Sequence, residues 1–198
     1  KQTEEVSSPK PEKITPIESK QRIVSLGGSV TETIFALGNG DQIVAVDASS
    51  LFPDEVQALP KVGYYRQIST EGILSAKPSM VIASDASGPK ESIEQIEKIG
   101  VPVSQVSSEK TLAGTEKRIE EIAALLNKKE EGEKIIAQIR SDLKGVQKPE
   151  TPPKVLFIYA RGIGTLSVGG KNTASSEMIK LAGGINAVQE YEGYKPLN

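Results

Sequence analysis

From Arg22 onward, short β-branched runs alternate with segments of helical period, and nearly every break carries Gly or Pro. That alternation restricts the chain to an open α/β architecture with a mostly parallel sheet. Ile23-Val24-Ser25-Leu26 is a strand ended by Gly27-Gly28. Ser29-Val30-Thr31-Glu32 then has the form of an S-x-x-E capping box opening a helix, with Val30, Ile34 and Leu37 on one face. Gly38 and Asn39-Gly40 close it, and Ile43-Val44-Ala45-Val46 supplies the next strand.

The pattern recurs. Ser69 caps a short helix containing Ile73 and Leu74, Pro78 follows its end, and Met80-Val81-Ile82-Ala83 reads as a buried parallel strand. Pro89 begins a helix with Ile93, Ile96 and Ile99 inward, and Gly100 stops it. Val101-Pro102-Val103 starts a strand near a sheet edge, because proline has no N–H to give a ladder. Residues 111–146 differ, being helical throughout with a break expected near Asn127. One stripe carries Ile119, Ile122, Ala123 and Leu126, and the other Ile135, Ile136, Ile139 and Leu143. The second helix is expected to run roughly 18 residues, about 27 Å.

A Pro-rich stretch, 148–154, leads into the apolar run Val155-Leu156-Phe157-Ile158-Tyr159, read as one strand opening a second lobe. A Gly-rich segment, a helix from about Thr173 to Leu181 and a polar run complete the chain. One strand and one helix bury too little apolar surface to offset their ordering entropy. The rest of this lobe is therefore expected to be missing, disordered or supplied by another chain. The reading divides the chain into a flexible tether (1–21), an α/β lobe (22–126), a connecting helix (127–148) and the start of an incomplete second lobe (149–198).

Composition removes whole classes of function. The 198 residues include neither Cys nor His, so the usual zinc and copper ligands, thiol nucleophiles and the commonest proton-transfer side chain are absent. A net charge of −2, with acids and bases mixed, offers no field for nucleic acid or an anionic membrane. No run is apolar enough to span a bilayer. The first twenty residues, rich in Lys, Glu, Ser, Thr and Pro, have the composition of a solvated tether; a lipid anchor upstream would suit it, as would an ordinary flexible terminus.

Two glycine motifs invite a nucleotide-using α/β enzyme and fail. Arg161-Gly162-Ile163-Gly164 follows a strand, but the third glycine of a dinucleotide loop falls on Ser167. Gly169-Gly170-Lys171-Asn172 approaches a phosphate loop, yet Thr165 stands at its first glycine and Asn172 where Ser or Thr is needed. Both read better as flexible loop beside a cleft. The acids of the helical region lie on polar faces, and no nucleophile is assembled with a base and an orienting group.

Four segments resemble the heme-binding branch of the substrate-binding proteins that serve bacterial ABC importers, a group that also holds cobalamin and siderophore binders. They are Arg22–Glu32, Leu59-Pro60-Lys61-Val62-Gly63-Tyr64-Tyr65-Arg66, Ser69–Leu74 with Lys77-Pro78, and Leu181-Ala182-Gly183-Gly184. Val62-Gly63-Tyr64 followed by Arg66 is the part most particular to heme binders. The resemblance implies two Rossmann-like α/β lobes joined by a single long helix, here with the second lobe truncated, and ligand held between them. It implies an extracytoplasmic, non-enzymatic protein that passes heme to an ABC transporter permease. A cobalamin or ferric-siderophore binder is the alternative.

A phenolate is a hard oxygen donor that suits ferric iron, so tyrosine can capture oxidised heme without histidine. The resemblance makes Tyr64 the iron ligand, with Tyr65 its rival and Arg66 the cation that would lower a phenol pKa of about 10. Both tyrosines also have a plainer reading as packing or rim aromatics. Arg161 is expected to meet a heme propionate, or else to face solvent. Gly27, Gly28, Gly162 and Gly164 would let backbone approach the macrocycle, or serve only turn geometry. Glu71, in the first turn of a helix, is explained by helix stabilisation alone, and the resemblance implies that it docks against transporter arginines.

Overall fold

The computed structural model describes residues 20–160 and 166–197. In chain order these form β1 (Ile23–Leu26), α1 (Gly28–Ala36), β2 (Ile43–Val46), β3 (Gly63–Tyr64), β4 (Gln67–Ile68), α2 (Thr70–Ser75), β5 (Met80–Ser84), α3 (Lys90–Lys98), β6 (Val103–Val106), α4 (Leu112–Leu125) and α5 (Lys129–Lys144). There follow β7 (Lys154–Val155), β8 (Ile158–Ala160), β9 (Leu166–Gly169), α6 (Ala174–Leu181), β10 (Ile185–Asn186) and β11 (Tyr194–Pro196). The expected tether, apart from 20 and 21, lies outside the described residues, as do Arg161, Gly162 and Gly164.

The organising element is a four-stranded parallel sheet in the order β2-β1-β5-β6. Its strands are apolar on both faces because both are covered, as parallel sheets require. Ile23, Ile82 and Val106 pack with Val30 and Ile34 of α1 and Ile122 of α4; Val24, Val81 and Ala83 pack with Ile73 of α2 and Ile93 and Ile96 of α3. The alternating parity of Val81, Ile82 and Ala83 thus divides one core between two layers. Each fully buried Ile or Val is worth about 1.5–3 kcal/mol. The sheet and its paired helix layers make this a mixed α/β fold.

Several local expectations hold. Ser69 is an N-cap as expected, and the helices expected from Thr111 and Thr173 begin there with those residues as N-caps, each hydroxyl accepting from the N–H three residues on. Asn127 breaks α4 from α5 at φ +56°, a left-handed conformation its short side chain tolerates. The strand after Pro102 lies at the sheet edge.

Others are corrected. No capping box forms at Ser29: α1 starts at Gly28 with Gly27 as N-cap and no side-chain cap. Gly27 at φ +112° turns strand into helix in one residue, and an added Cβ would stand 3.3 Å from Cβ of Ser84. Ile99 is 62% exposed because α3 ends at Lys98. The second long helix has 16 residues, about 24 Å by its rise.

The run 155–159 is no single strand; β7 and β8 flank Leu156-Phe157 and join different sheets. In place of one strand and one helix, the C-terminal part has a parallel pair β10-β7 and an antiparallel sheet β11-β9-β8. Leu156, Phe157, Ile158, Tyr159 and Tyr194 remain well exposed there, with Val168 buried.

α4 and α5 are clamped by Arg140, whose Nε and Nη2 donate to the two carboxylate oxygens of Glu116 at 2.7 and 2.8 Å. That hydrogen-bonded pair holds the Glu116 carboxyl below the usual carboxylate range and raises Arg140. A lowered carboxylate pKa contributes stability above the unfolded value, about 4.3, and loses it as pH falls through the folded value. Because Arg140 is largely solvated, Glu116→Gln is expected to lower Tm by only about 1–2 °C at pH 7. The difference should shrink as pH falls below about 4.3; a gap that stays undiminished as the carboxylate is protonated would refute the ionic account.

Candidate functional site

All four sheet strands are parallel, so their carboxyl ends lie along one edge, and there the polar residues gather: Gly27 after β1, Asp47 after β2, Ser84 ending β5 and Ser107 after β6. From β1 the chain crosses to β2 through α1 on one face; from β5 it crosses to β6 through α3 on the other. The connections diverge between β1 and β5, and ligands of open α/β sheets bind in such a crevice. A cavity of about 310 Å³ opens at this place, lined by Gly27, Gly28, Tyr65, Arg66, Ser84 and Lys110 among others. It adjoins two larger cavities, of about 510 and 540 Å³, through Ser108 and Lys110. Those run between the β6–α4 segment and α6, so the cleft extends beyond the tyrosines.

The cleft's lip is held by Asp47, which is fully buried. Its Oδ1 accepts from Gly27 N (2.8 Å) and Ser50 Oγ (2.7 Å), and its Oδ2 from Ser49 N (2.8 Å) and Ser49 Oγ. Ser50 Oγ lies 2.8 Å from Thr31 Oγ1, which lies 2.7 Å from Ser25 Oγ. Ser50 gives its proton to the carboxylate, so its oxygen is open to the Thr31 hydroxyl, which also reaches Gly27 O at 3.3 Å and accepts from Ser25. One buried chain of hydroxyls thus ties β1, α1 and the β2 loop to a single acid.

Tyr64, Tyr65 and Arg66 occupy the tight hairpin β3-β4. Gly63 sits at φ +95°, where a Cβ would come within 2.7 Å of the Gln67 carbonyl oxygen, so the turn specifically needs glycine. The hairpin is pinned to the sheet edge by backbone bonds: Val62 N to Val46 O, Ala48 N to Gly63 O, and Gly88 N to Tyr65 O at 2.7–2.9 Å. The Tyr64 and Tyr65 rings meet edge to face at 4.6 Å between centroids. Tyr64 is 46% exposed. Arg66 places its guanidinium carbon 5.3 Å from the centre of the Tyr65 ring, and both line the 310 Å³ cavity. Gly27 and Gly28 reach the same cavity. Glu71 stands apart, exposed in the first turn of α2.

The sequence reading missed Asp47, Ser84, Lys110 and Arg118. Asp47 and Ser84 carried a usable signal, since each ends a β-branched run that reads as a parallel strand, the position from which such sheets present functional groups. Lys110 and Arg118 carried none, because their place depends on how α4 packs.

A crevice at the carboxyl edge of a parallel sheet, walled by a pinned aromatic hairpin, defines an α/β ligand-binding protein. The chain belongs to the periplasmic binding protein family, whose model matches residues 23–198. It is 34% identical over 168 residues to the vitamin B12-binding protein of Vibrio campbellii, covering 84% of this chain and 60% of that one. It is 29% identical to YvrC of Bacillus subtilis, an uncharacterized ABC transporter substrate-binding lipoprotein, covering 91% and 60%. The chain thus spans about three-fifths of the length of these relatives. The apo structure of the periplasmic heme-binding protein RhuT of Roseiflexus sp. RS-1 superposes with a TM-score of 0.84 at 40% identity, covering 91% of this chain and 71% of that one. These relatives and neighbours are substrate-binding proteins, not enzymes.

Proposed function

We propose that the protein captures ferric heme in this cleft and delivers it to the permease of an ABC importer outside the cytoplasm. The observation that carries this reading is the pinned hairpin, which sets Tyr65 and Arg66 on the crevice wall with the Tyr64 ring packed edge to face beside them, in a chain with no histidine or cysteine. The 40% identity to a heme binder supports it. Tyr64 is the proposed iron ligand, with Tyr65 as the alternative. Arg66 lies over the Tyr65 ring, which makes it a cation at the same rim and a partner for phenolate or propionate. Arg161 keeps its proposed propionate role, and Gly27, Gly28, Gly162 and Gly164 their role of admitting the flat ligand.

Two lobes joined by α5 would hold the cleft largely preformed, which lowers the ordering cost of binding. Glu71 is the proposed transporter-docking residue, and the YvrC relative supports a lipid anchor upstream. Among the described residues no helix is long and apolar enough to cross a membrane. Cobalamin is the second reading, favoured by the name of the Vibrio campbellii relative.

Hemin titration followed by visible absorption tests the proposal. A phenolate-bound ferric spectrum is expected with the unaltered protein and with Tyr65→Phe, but not with Tyr64→Phe. Saturable cobalamin binding with no hemin spectrum would establish the second reading, and transfer of the effect to Tyr65→Phe would reassign the ligand.

A further inference from the structure

The 540 Å³ cavity holds a feature the heme proposal does not use. Residues at the starts of three helices line it: Ser29 of α1, Thr111 and Leu112 of α4, and Ala174 of α6. Each first helical turn presents N–H groups and the positive end of a peptide dipole. On the same wall lies Arg118, 9% exposed, on the stripe of α4 that otherwise buries Ile119 and Ile122.

Arg118 is poorly compensated. Its Nη1 and Nη2 reach Ser107 O and Thr115 Oγ1 at 3.3 and 3.4 Å, both long, and its Nε is buried without a hydrogen-bond partner. Among the described residues it forms no ion pair. Glu32 and Glu121 exert only a longer-range pull, and Glu121 is engaged by Ser107 N at 2.8 Å and by Lys117. Burial pushes the guanidinium down from its ordinary value, the sign of a cation short of counter-charge. Three acids border the cavity, each committed elsewhere: Glu109 accepts from Thr111 Oγ1, Asp142 from Gln138 Nε2, and Glu177 pairs with Lys180. Burying an unpaired charge is costly, and an arginine kept so on a cavity wall is suited to an anion that arrives with the ligand.

We infer that Arg118 and the three helix starts that line this cavity form an anion subsite in the cleft, which takes a carboxylate or phosphate group. The group belongs either to the cargo, as a heme propionate would, or to a small anion bound beside it. The first source rests on the proposed binding of heme; the second does not.

Two measurements on the whole chain separate these sources. Affinity for hemin and for hemin dimethyl ester is compared in the unaltered protein and in Arg118→Gln. Thermal stability is compared in inorganic phosphate and in sodium chloride of equal ionic strength, without cargo. If the cargo supplies the anion, hemin is preferred over its ester by roughly tenfold or more, and Arg118→Gln reduces that preference below about threefold without moving the absorption bands. If a separate anion binds, phosphate raises Tm of the unaltered protein and not of Arg118→Gln, and the ester binds as well as the acid. Absence of both Arg118-dependent effects overturns the subsite, whether or not hemin binds. A protein that shows the phosphate effect but no hemin spectrum keeps the subsite and loses the heme reading. Should Arg118→Gln not fold, Arg118→Lys carries the test: it keeps the charge without the fork, so either effect should weaken by about threefold, and an unchanged effect counts against the subsite.

Discussion

Asp47→Ala lowers the unfolding free energy by about 3–5 kcal/mol, read from urea denaturation with the m-value unchanged. The side chain is fully buried and accepts four hydrogen bonds, two from backbone N–H groups of Gly27 and Ser49. Alanine leaves those donors without their acceptor, and each unsatisfied buried donor costs about 1–3 kcal/mol. It also removes the acceptor that orients Ser50, Thr31 and Ser25, so the protons of that chain lose their common direction. Asp47→Asn keeps the shape but turns an NH2 toward a donor, and a loss of about 2 kcal/mol is expected. Because Gly27 and Gly28 line the cleft, either variant should also weaken ligand binding. A loss under 1 kcal/mol for the alanine variant would show that the network is incidental to the fold.

Ile82→Ala is the second large effect, with an expected loss of about 2–5 kcal/mol in the same assay. Ile82 is fully buried in β5, which is bonded on both sides by β1 and β6, and it faces the layer formed by α1 and α4. Deleting three carbons there leaves a cavity between elements fixed by the sheet, so little can collapse into it. Ile82→Val removes one methylene and should cost about 0.5–1.5 kcal/mol. A ratio near one between the two variants would mean that the site relaxes and that β5 is less constrained than its pairing implies.

Asp47 and Ile82 mark two routes to stability in one sheet. Ile82 contributes through apolar burial at mid-strand. Asp47 contributes at the strand's carboxyl end, where the chain must leave the sheet and the backbone groups lose their ladder partners. Binding sites gather at that edge for the same reason: groups freed from the ladder are available to a ligand.

Much of the fold was legible in the chain. Strands β1, β2 and β5 and the helices capped by Ser69, Thr111 and Thr173 follow from local rules, because β-branched runs and hydroxyl caps act over a few residues. The edge place of β6 was readable from Pro102. The capping box at Ser29 failed because Gly27 offered a tighter turn, held by its N–H on the buried carboxylate of Asp47, 20 residues away. The run 155–159 failed because an apolar string does not say which sheet it joins.

The sequence by itself determined the α/β class and most of the strand and helix positions, since periodicity and helix starts are local properties; the hairpin that carries Tyr64 came only with the structure. Only the tertiary structure decided which polar groups meet: Asp47 with Gly27, Arg66 with Tyr65, Arg118 with three helix starts. Packing brings those groups together from distant parts of the chain or turns one neighbour over another, and no local spacing encodes that geometry.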